Sequence, residues 1–260
     1  MKYYCIKFFG ILLSVLVFWG CPSIPPKGEK DVGRKLEIKL FIASLNLGNF
    51  NKRVEQKHIL DLAKVLKREQ VEVLAVQGIS RYPGVASRID FVNELSAQTD
   101  WWNAFGEMMN ISGRQTGNAV FSSYPILSYH NNTFDHLKTA SFEAALQATI
   151  DAGIRSLFVV SVQMPPKATA EEEAQCMQII AASNPDGNNQ TTVITGNLSS
   201  SESVRTSNSF TEVPQSEYTR GTTPSVWFSA NASFQLLSSH TVETELGRLI
   251  IAQLGLFRQK

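Results

Sequence analysis

Hydrophobic and polar residues alternate along much of the chain, and the alternation predicts β-strands. KLEIKLFIASLNLGNF predicts a first strand over Leu36–Leu45. VEVLAVQG predicts a second, more uniformly apolar strand that ends at Gln77-Gly78. An amphipathic helix is predicted between them, with an apolar face made of Ile59, Leu62, Ala63 and Leu66. The order strand, helix, strand predicts an opening of the βαβ type.

The rest of the chain continues with short strands and two more helices. Helices are predicted in ASRIDFVNELSAQT and KATAEEEAQCMQIIAAS. Strands are predicted in WWNAFGE, NAVFSSYPILSYH, SFEAALQATIDAG, IRSLFVVSVQM, QTTVITGN, SVWFSANASFQLLSSH and RLIIAQLGLF. The long Ser/Thr-rich stretch after Asn197 predicts a loop. Many strands interleaved with three helices predict a layered α/β sandwich, with two packed sheets and helices outside them.

The N-terminus has a different character from this domain. Lys2 and Lys7 precede an apolar run from Phe8 to Trp19 that is short for a membrane-spanning helix but suits a signal peptide. A small residue and a cysteine follow at Gly20-Cys21, and then the Pro-rich polar segment CPSIPPKGEK.

This arrangement resembles the lipobox of bacterial lipoproteins, in which the cysteine is acylated. The expected organisation is a signal peptide over 1–20, a lipidated tether over 21–35 with Cys21 as the acylation site, and a folded domain over 36–260. The expected location is the cell envelope, with the membrane as a partner through the lipid. An uncleaved anchor and an ordinary secretory signal are the alternatives.

Composition narrows the class of protein. The chain has 260 residues, 43% of them hydrophobic, which is enough for one sizeable core. Its net charge of +1 argues against nucleic-acid binding driven by the overall charge of the protein. Once Cys5 leaves with the signal and Cys21 takes lipid, Cys176 has no partner for an intrachain disulfide. Its helical surroundings predict a small buried hydrophobe.

Several short stretches then fall in a recognisable order. They are IASLNLGNF, ILDLAKVLKREQVEVLAVQG, GNAVFSSYPIL, LFVVSVQM, VITGNLSS, SVWFS and RLIIAQL. In this order, over about Leu36 to Phe257, they resemble the endonuclease/exonuclease/phosphatase family of metal-dependent phosphodiesterases. The resemblance implies a DNase I-like fold, which is a four-layer sandwich of two packed mixed β-sheets flanked by helices.

The resemblance also implies where a catalytic cleft would lie. In the family, these strands deliver a metal-binding Glu, two His and several Asp and Asn residues, and the metal is Mg²⁺ or Mn²⁺. The matching positions here are Asn46, Gly78, Ser161, Gln163, Asn197, Ser199, Pro224, Leu246 and Gly247. Only Asn46 keeps the family residue, and Gly78 stands in the place of the Glu.

Phosphodiester cleavage needs carboxylate oxygens for a hard cation and a general base for water. The matching positions supply neither, so the sequence predicts no catalytic residues, no metal and no cofactor. The interpretation is a membrane-anchored lipoprotein that binds an unknown protein or small ligand. Its ligand site is expected in the former cleft, rimmed by the Ser-rich loop 199–209 and by Asn46, Gln163 and Asn197.

Two alternatives stay open at this point. The chain could be a divergent phosphodiesterase with a relocated site, for which His130, Asp135 and His136 are the candidates. It could also be a surface lipoprotein that uses the outer face of the domain. The position of the histidines relative to the cleft discriminates the first alternative from a binding protein.

Overall fold

The computed structural model describes nine stretches of the chain. They are residues 34–48, 54–85, 88–134, 144–164, 169–182, 191–197, 210–214, 224–229 and 234–259. Several predicted features lie outside these residues: the signal segment 1–20, the acylation site Cys21, the loop 199–209 with Ser199, and the candidates Asp135 and His136. Among the helices in the described stretches, none combines the length and apolarity needed to span a membrane.

The described stretches form three helices and twelve strands. The helices are α1 (Gln56–Arg68), α2 (Phe91–Thr99) and α3 (Ala170–Ala182). The strands of the first half are β1 (Arg34–Asn46), β2 (Val73–Arg81), β3 (Trp102–Ile111), β4 (Arg114–Ser122), β5 (Ile126–Thr133) and β6 (Ala144–Asp151). Those of the second half are β7 (Ser156–Gln163), β8 (Thr191–Asn197), β9 (Phe210–Glu212), β10 (Ser225–Ser229), β11 (Phe234–Thr244) and β12 (Gly247–Gln259).

The strands are divided between two mixed six-stranded sheets. Sheet A has the order β11-β12-β1-β2-β4-β3, and sheet B has the order β5-β6-β7-β8-β10-β9. Each sheet contains one parallel pair, β1 with β2 and β7 with β8, and the remaining pairs are antiparallel. A helix connects the strands of each parallel pair, since α1 joins β1 to β2 and α3 joins β7 to β8. Parallel neighbours require such a crossover.

Three apolar clusters define the layers. The cluster between the sheets joins Ile42 and Ala75 of sheet A to Val159 of sheet B. A second cluster packs the outer face of sheet A against α1 and α2, and a third packs the outer face of sheet B against α3. The third cluster contains Cys176, which is fully buried, as the sequence predicted. The predicted four-layer sandwich, two mixed sheets flanked by helices, is therefore confirmed.

The strand that was predicted to end at Gln77-Gly78 continues to Arg81. The pairing of β2 with β4 shifts register between Val76 and Ile79, which marks a β-bulge at this point. Gly78 has φ +72°, a conformation that glycine adopts easily and other residues do not. The glycine therefore bends an unbroken strand, and the prediction of a strand end was wrong.

Other boundaries also differ from the predictions. β1 begins at Arg34, inside the segment assigned to the tether. The stretch NAVFSSYPILSYH forms β4 and β5, which lie in different sheets, because the chain turns at Ser123–Pro125. SVWFSANASFQLLSSH likewise divides into β10 and β11 of different sheets. The stretch predicted as a Ser/Thr-rich loop also contains the short edge strand β9.

Candidate functional site

Two parallel strand pairs end at the same place between the sheets. Asn46 at the end of β1 pairs with Gln77 of β2, and Gln163 at the end of β7 pairs with Asn197 of β8. β2 of sheet A contacts both β7 and β8 of sheet B, and β1 contacts β8. The fold therefore brings four of the predicted positions, Asn46, Gly78, Gln163 and Asn197, to one edge of the sandwich.

The surface between the sheets changes from apolar to polar as these strands approach that edge. On β7 the inward positions run Val159, Ser161 and Gln163, and on β2 they run Val73, Ala75 and Gln77. β1 shows the same change, from Ile42 through Ser44 to Asn46. These polar side chains are all neutral, and each is at least nine-tenths buried.

A hydrogen-bond network ties the two sheets together beneath the cleft. The Gln77 Nε2 atom donates to the Ser161 Oγ atom at 2.9 Å and to the Thr195 Oγ1 atom at 3.3 Å. Asn118 of β4 donates from Nδ2 to the carbonyl oxygens of Ala144 at 2.9 Å and Ser161 at 3.2 Å. Its Oδ1 atom accepts the Gly78 N–H at 3.4 Å. The network consists of uncharged groups that hydrogen-bond to one another in the interior, although the Gln77 Oε1 atom has no donor among the described residues.

Gly78 lies against the backbone of the turn that follows β1. A Cβ atom placed on Gly78 would lie 2.7 Å from the Gly48 carbonyl oxygen, a distance that real Cβ atoms essentially never show. The same Cβ would lie 3.5 Å from the Gln163 Oε1 atom. The space into which a side chain at this position would project is thus already occupied by Gly48.

Asn46 is held by its own turn. Its Oδ1 atom accepts the Gly48 N–H at 2.8 Å, which is an Asx turn, and the Leu47 N–H donates to the Gln77 carbonyl at 3.0 Å. Gly247 at the start of β12 lies beside it, because a Cβ on Gly247 would be 3.5 Å from the Asn46 carbonyl oxygen. The side-chain oxygen of the one family-like residue is therefore directed into the turn.

Gln163 closes the other side of the cleft. Its side chain is 9% exposed, and its Oε1 atom has no hydrogen-bond donor in the described part of the chain. The Gln77 Oε1 atom is also buried without a donor there. Two amide oxygens in this region are therefore buried without a hydrogen-bond donor among the described residues.

The remaining predicted positions do not all face the cleft. Pro224 directly precedes β10, whose Ser225 pairs with Gly196 of β8, so it lies close to the strand ends. Leu246 is buried in the core between sheet A and the helices and does not face the cleft.

The described histidines lie away from the strand ends. His130 is exposed on β5, two strands from β7, which is about 10 Å across the sheet. His58 belongs to the first turn of α1, where its Nδ1 atom accepts the Glu55 N–H at 3.1 Å. His240 on β11 contacts Glu69 at 3.0 Å, and the hydrogen bonds from Arg68 and His240 lower the pKa of Glu69. None of the three contributes to the cleft.

Sequence reasoning missed the residues that join the sheets, which are Gln77, Asn118 and Thr195. A signal for Gln77 was available, since it is the only amide in an otherwise apolar strand and its odd number places it on the same face as Val73 and Ala75. Asn118 and Thr195 lie in the motif stretches GNAVFSSYPIL and VITGNLSS, but nothing in those stretches indicates their partners. Their partners are 26 to 118 residues away in the sequence.

Carboxylates, histidines and cysteines do not cluster in the described stretches. No group of three or more of these residues there could hold a metal ion. The edge where the four strands end is thus made of amides, hydroxyls and glycine within the part of the chain that the structure describes.

The fold defines the class of protein: a DNase I-like four-layer sandwich with its cleft at the ends of two parallel strand pairs. The chain matches the sequence model of the Endonuclease/Exonuclease/phosphatase family over residues 43–234, which is most of its length. It belongs to that family, as the order of the motifs predicted.

Solved structures agree on the fold. The endonuclease/exonuclease/phosphatase from Beutenbergia cavernae DSM 12333 is 14% identical, with a TM-score of 0.64 over 85% of this chain and 72% of that one. The protein of the same description from Bacteroides vulgatus is 12% identical, with a TM-score of 0.64 over 85% and 100%. D. rerio TDP2 complexed with single strand DNA product is 11% identical, with a TM-score of 0.62 over 84% and 99%. No curated protein is similar enough to count as a match.

Proposed function

We propose that this chain is a member of the family that binds a ligand at the former cleft without cleaving phosphodiesters. One observation carries the proposal: the place of the expected metal-binding Glu is Gly78, and the Gly48 carbonyl fills the space beside it. A missing side chain alone could be replaced by a neighbouring carboxylate. Here the Gly48 carbonyl occupies the space that a side chain at this position would enter.

The donor set does not fit Mg²⁺ or Mn²⁺, the metals that the resemblance implies. Hard cations of this kind give up water for carboxylate oxygens. Asn46 directs its Oδ1 atom to the Gly48 N–H, Gly78 has no ligand atom, and Gln163 offers one neutral oxygen. These residues would leave the charge of a divalent ion uncompensated, and for that reason we propose no metal and no cofactor.

A general base is also lacking among the side chains that meet at this edge. Activating water for hydrolysis requires a group that accepts a proton near neutral pH, such as histidine or a carboxylate. Gln77, Ser161, Gln163 and Thr195 do not titrate in that range. The uncharged polar side chains at this edge favour a ligand that forms neutral hydrogen bonds through hydroxyl or amide groups. A protein partner or a small polar molecule would meet this requirement.

The proposal predicts no turnover and no stabilisation by divalent metal. An intact site with a Kd near 1 mM would gain about 1.4 kcal/mol from 10 mM Mg²⁺. In a domain of this size that gain would raise the melting temperature by about 3–6 °C. We expect a shift indistinguishable from NaCl of matched ionic strength in scanning calorimetry with MgCl₂, MnCl₂ or CaCl₂. The amount of DNA, RNA, sphingomyelin or phosphoinositide cleaved should not exceed that cleaved by a heat-inactivated control.

The rival proposal is a divergent phosphodiesterase with a relocated site. The strand register of sheet B supports it. Thr133 at the end of β5 pairs with Ala144 of β6, and Ala144 pairs in turn with Gln163 of β7. β5 therefore ends at the same edge as β7, just before Asp135 and His136 in the sequence. Metal-dependent turnover that is lost in His136→Asn or Asp135→Asn, and kept in His130→Asn, would establish the rival and refute the binding proposal.

We further propose that the protein is held at the cell envelope by a lipid on Cys21. The apolar run, the Gly20-Cys21 pair and the polar tether support this. We expect radiolabelled palmitate to be incorporated into the chain and to be lost in Cys21→Ser, with Cys5→Ser as the matched control in the preceding segment. Equal labelling of the wild type and Cys21→Ser would contradict the proposal.

A further inference from the structure

Sheet A carries a second concave site, at the opposite end of β2 from Gly78. The cavity has a volume of about 600 Å³ and lies where α1 and α2 end and β2 begins. Side chains that line it include Lys39, Phe41, Lys67, Glu72, Trp101 and Ser123. The volume falls in the range of pockets that hold small organic molecules. Nothing in the cleft contributes to this cavity.

The charges in this cavity favour an anion. Lys39 and Lys67 are exposed, and neither forms an ion pair with a carboxylate in the described part of the chain. Both carboxylate oxygens of Glu72 already accept a hydrogen bond. Its Oε2 atom accepts the Phe41 N–H at 3.1 Å, and its Oε1 atom accepts the Tyr124 hydroxyl at 2.7 Å. The lining therefore contains two lysine ammonium groups and one carboxylate, and that carboxylate is already hydrogen-bonded within the protein.

The Tyr124 hydroxyl keeps this arrangement over the whole physiological pH range. Burial, together with the hydrogen bond to Glu72, raises the pKa of Tyr124 to about 12. The hydroxyl thus remains a hydrogen-bond donor to the Glu72 carboxylate. The positive character of the pocket is built into the fold.

The walls of the cavity suit a flat apolar group. Phe41 and Trp101 are only partly buried and both contribute to the lining. Ala63, Leu66 and Val71 complete the apolar wall. Aromatic side chains attract planar rings by offset or edge-to-face packing. A partly buried tryptophan, beside two lysines that form no ion pair within the described stretches, therefore offers both parts of a recognition site.

We propose that this cavity is a binding site for a small aromatic anion, with its ring against Phe41 and Trp101 and its acidic group at Lys39 and Lys67. The site is independent of the cleft and of the proposed loss of hydrolysis. A carboxylate, sulfonate or phosphate on a ring of one or two fused cycles has the required size and charge. The lysines select the acidic group, and the aromatic walls select the ring.

Naphthalene-2-sulfonate and its uncharged counterpart naphthalene-2-sulfonamide test the proposal with the full chain. We expect titration calorimetry to show tighter binding of the sulfonate than of the sulfonamide. Lys39→Gln and Lys67→Gln should each weaken sulfonate binding about two- to fivefold, which is the range for one exposed charge contact. Neither variant should change sulfonamide binding. Trp101→Leu should weaken the binding of both probes.

Lys64→Gln is the matched control, because it removes one positive charge from the same helix at a side chain that pairs with Asp61 and does not line the cavity. It should leave both affinities unchanged. If Lys39→Gln and Lys67→Gln behave like Lys64→Gln, or if the two probes bind equally well, the proposal is wrong. Lys39 and Lys67 are exposed, so we expect their variants to fold normally. The test therefore stays decisive even if Trp101→Leu perturbs folding.

Discussion

Replacing Gly78 with alanine is expected to lower the free energy of unfolding by about 2–5 kcal/mol, as the sum of two costs. A residue with a Cβ atom at φ +72° incurs about 1–2 kcal/mol of backbone strain. The added Cβ would also lie 2.7 Å from the Gly48 carbonyl oxygen, and an overpacked contact of this kind costs about 1–3 kcal/mol. Thermal or urea unfolding measures the sum, which corresponds to a fall in melting temperature of about 5–15 °C.

Gly84→Ala separates the two costs. Gly84 has φ +76°, and a Cβ atom there would meet nothing within 4 Å. We expect this variant to lose only the strain, about 1–2 kcal/mol or less, because alanine also reduces the entropy of the unfolded chain. Equal losses in the two variants would show that Gly48 does not press on Gly78. The description of a filled cleft would then fail.

The same contact bears on whether the family chemistry could be restored. Gly78→Glu would introduce the carboxylate that the family motif contains at this position, but its Cβ atom would meet the same carbonyl oxygen. The new side chain could enter only if the turn at Asn46–Gly48 moved, which would break the hydrogen bonds from Gly48 N–H to Asn46 and from Leu47 N–H to Gln77. The proposed absence of a metal site therefore rests on backbone conformation as well as on side-chain identity.

The fold could be predicted from the sequence because its determinants are local. The alternation of β1, the apolar face of α1 and the uniform hydrophobicity of β2 follow directly from sequence spacing. The division of strands between sheets could not be predicted in the same way. In NAVFSSYPILSYH the chain leaves sheet A at Ser123–Pro125 and enters sheet B, and no periodicity within the stretch marks that change.

The sequence predicted the positions that make up the site, but not the backbone contacts that shape it. The order of the motifs predicted a site at Asn46, Gly78, Gln163 and Asn197, and the register of the two parallel pairs brings these positions to one edge of the sandwich. Gly78 was interpreted as a strand end because glycine is rare inside strands. Its positive φ and its contact with Gly48 depend on a turn that follows another strand, so they are visible only in three dimensions.

Asn118→Asp is expected to destabilise the protein strongly at neutral pH and less in acid. The Asn118 Nδ2 atom donates to two carbonyl oxygens, those of Ala144 and Ser161, and the residue is fully buried. An introduced carboxylate would place a negative oxygen against both acceptors, so burial and repulsion should raise the carboxyl pKa well above its usual value near 4. We expect a loss of about 3–5 kcal/mol at pH 7.

The direction of the pH dependence follows from proton linkage. With a raised pKa, the folded variant binds more protons than the unfolded one above about pH 4, so its stability falls as pH rises through that range. Each unit of pH between the two pKa values costs about 1.4 kcal/mol. Asn103→Asp on β3 is the control, because Asn103 is exposed and bonds only the Ser96 hydroxyl at 2.9 Å. Urea unfolding at pH 4, 5.5 and 7 should show a growing deficit for Asn118→Asp and a small constant one for Asn103→Asp. A deficit for Asn118→Asp that does not change with pH would mean that the introduced carboxyl reaches solvent, and that Asn118 does not seal the floor of the cleft between the two sheets.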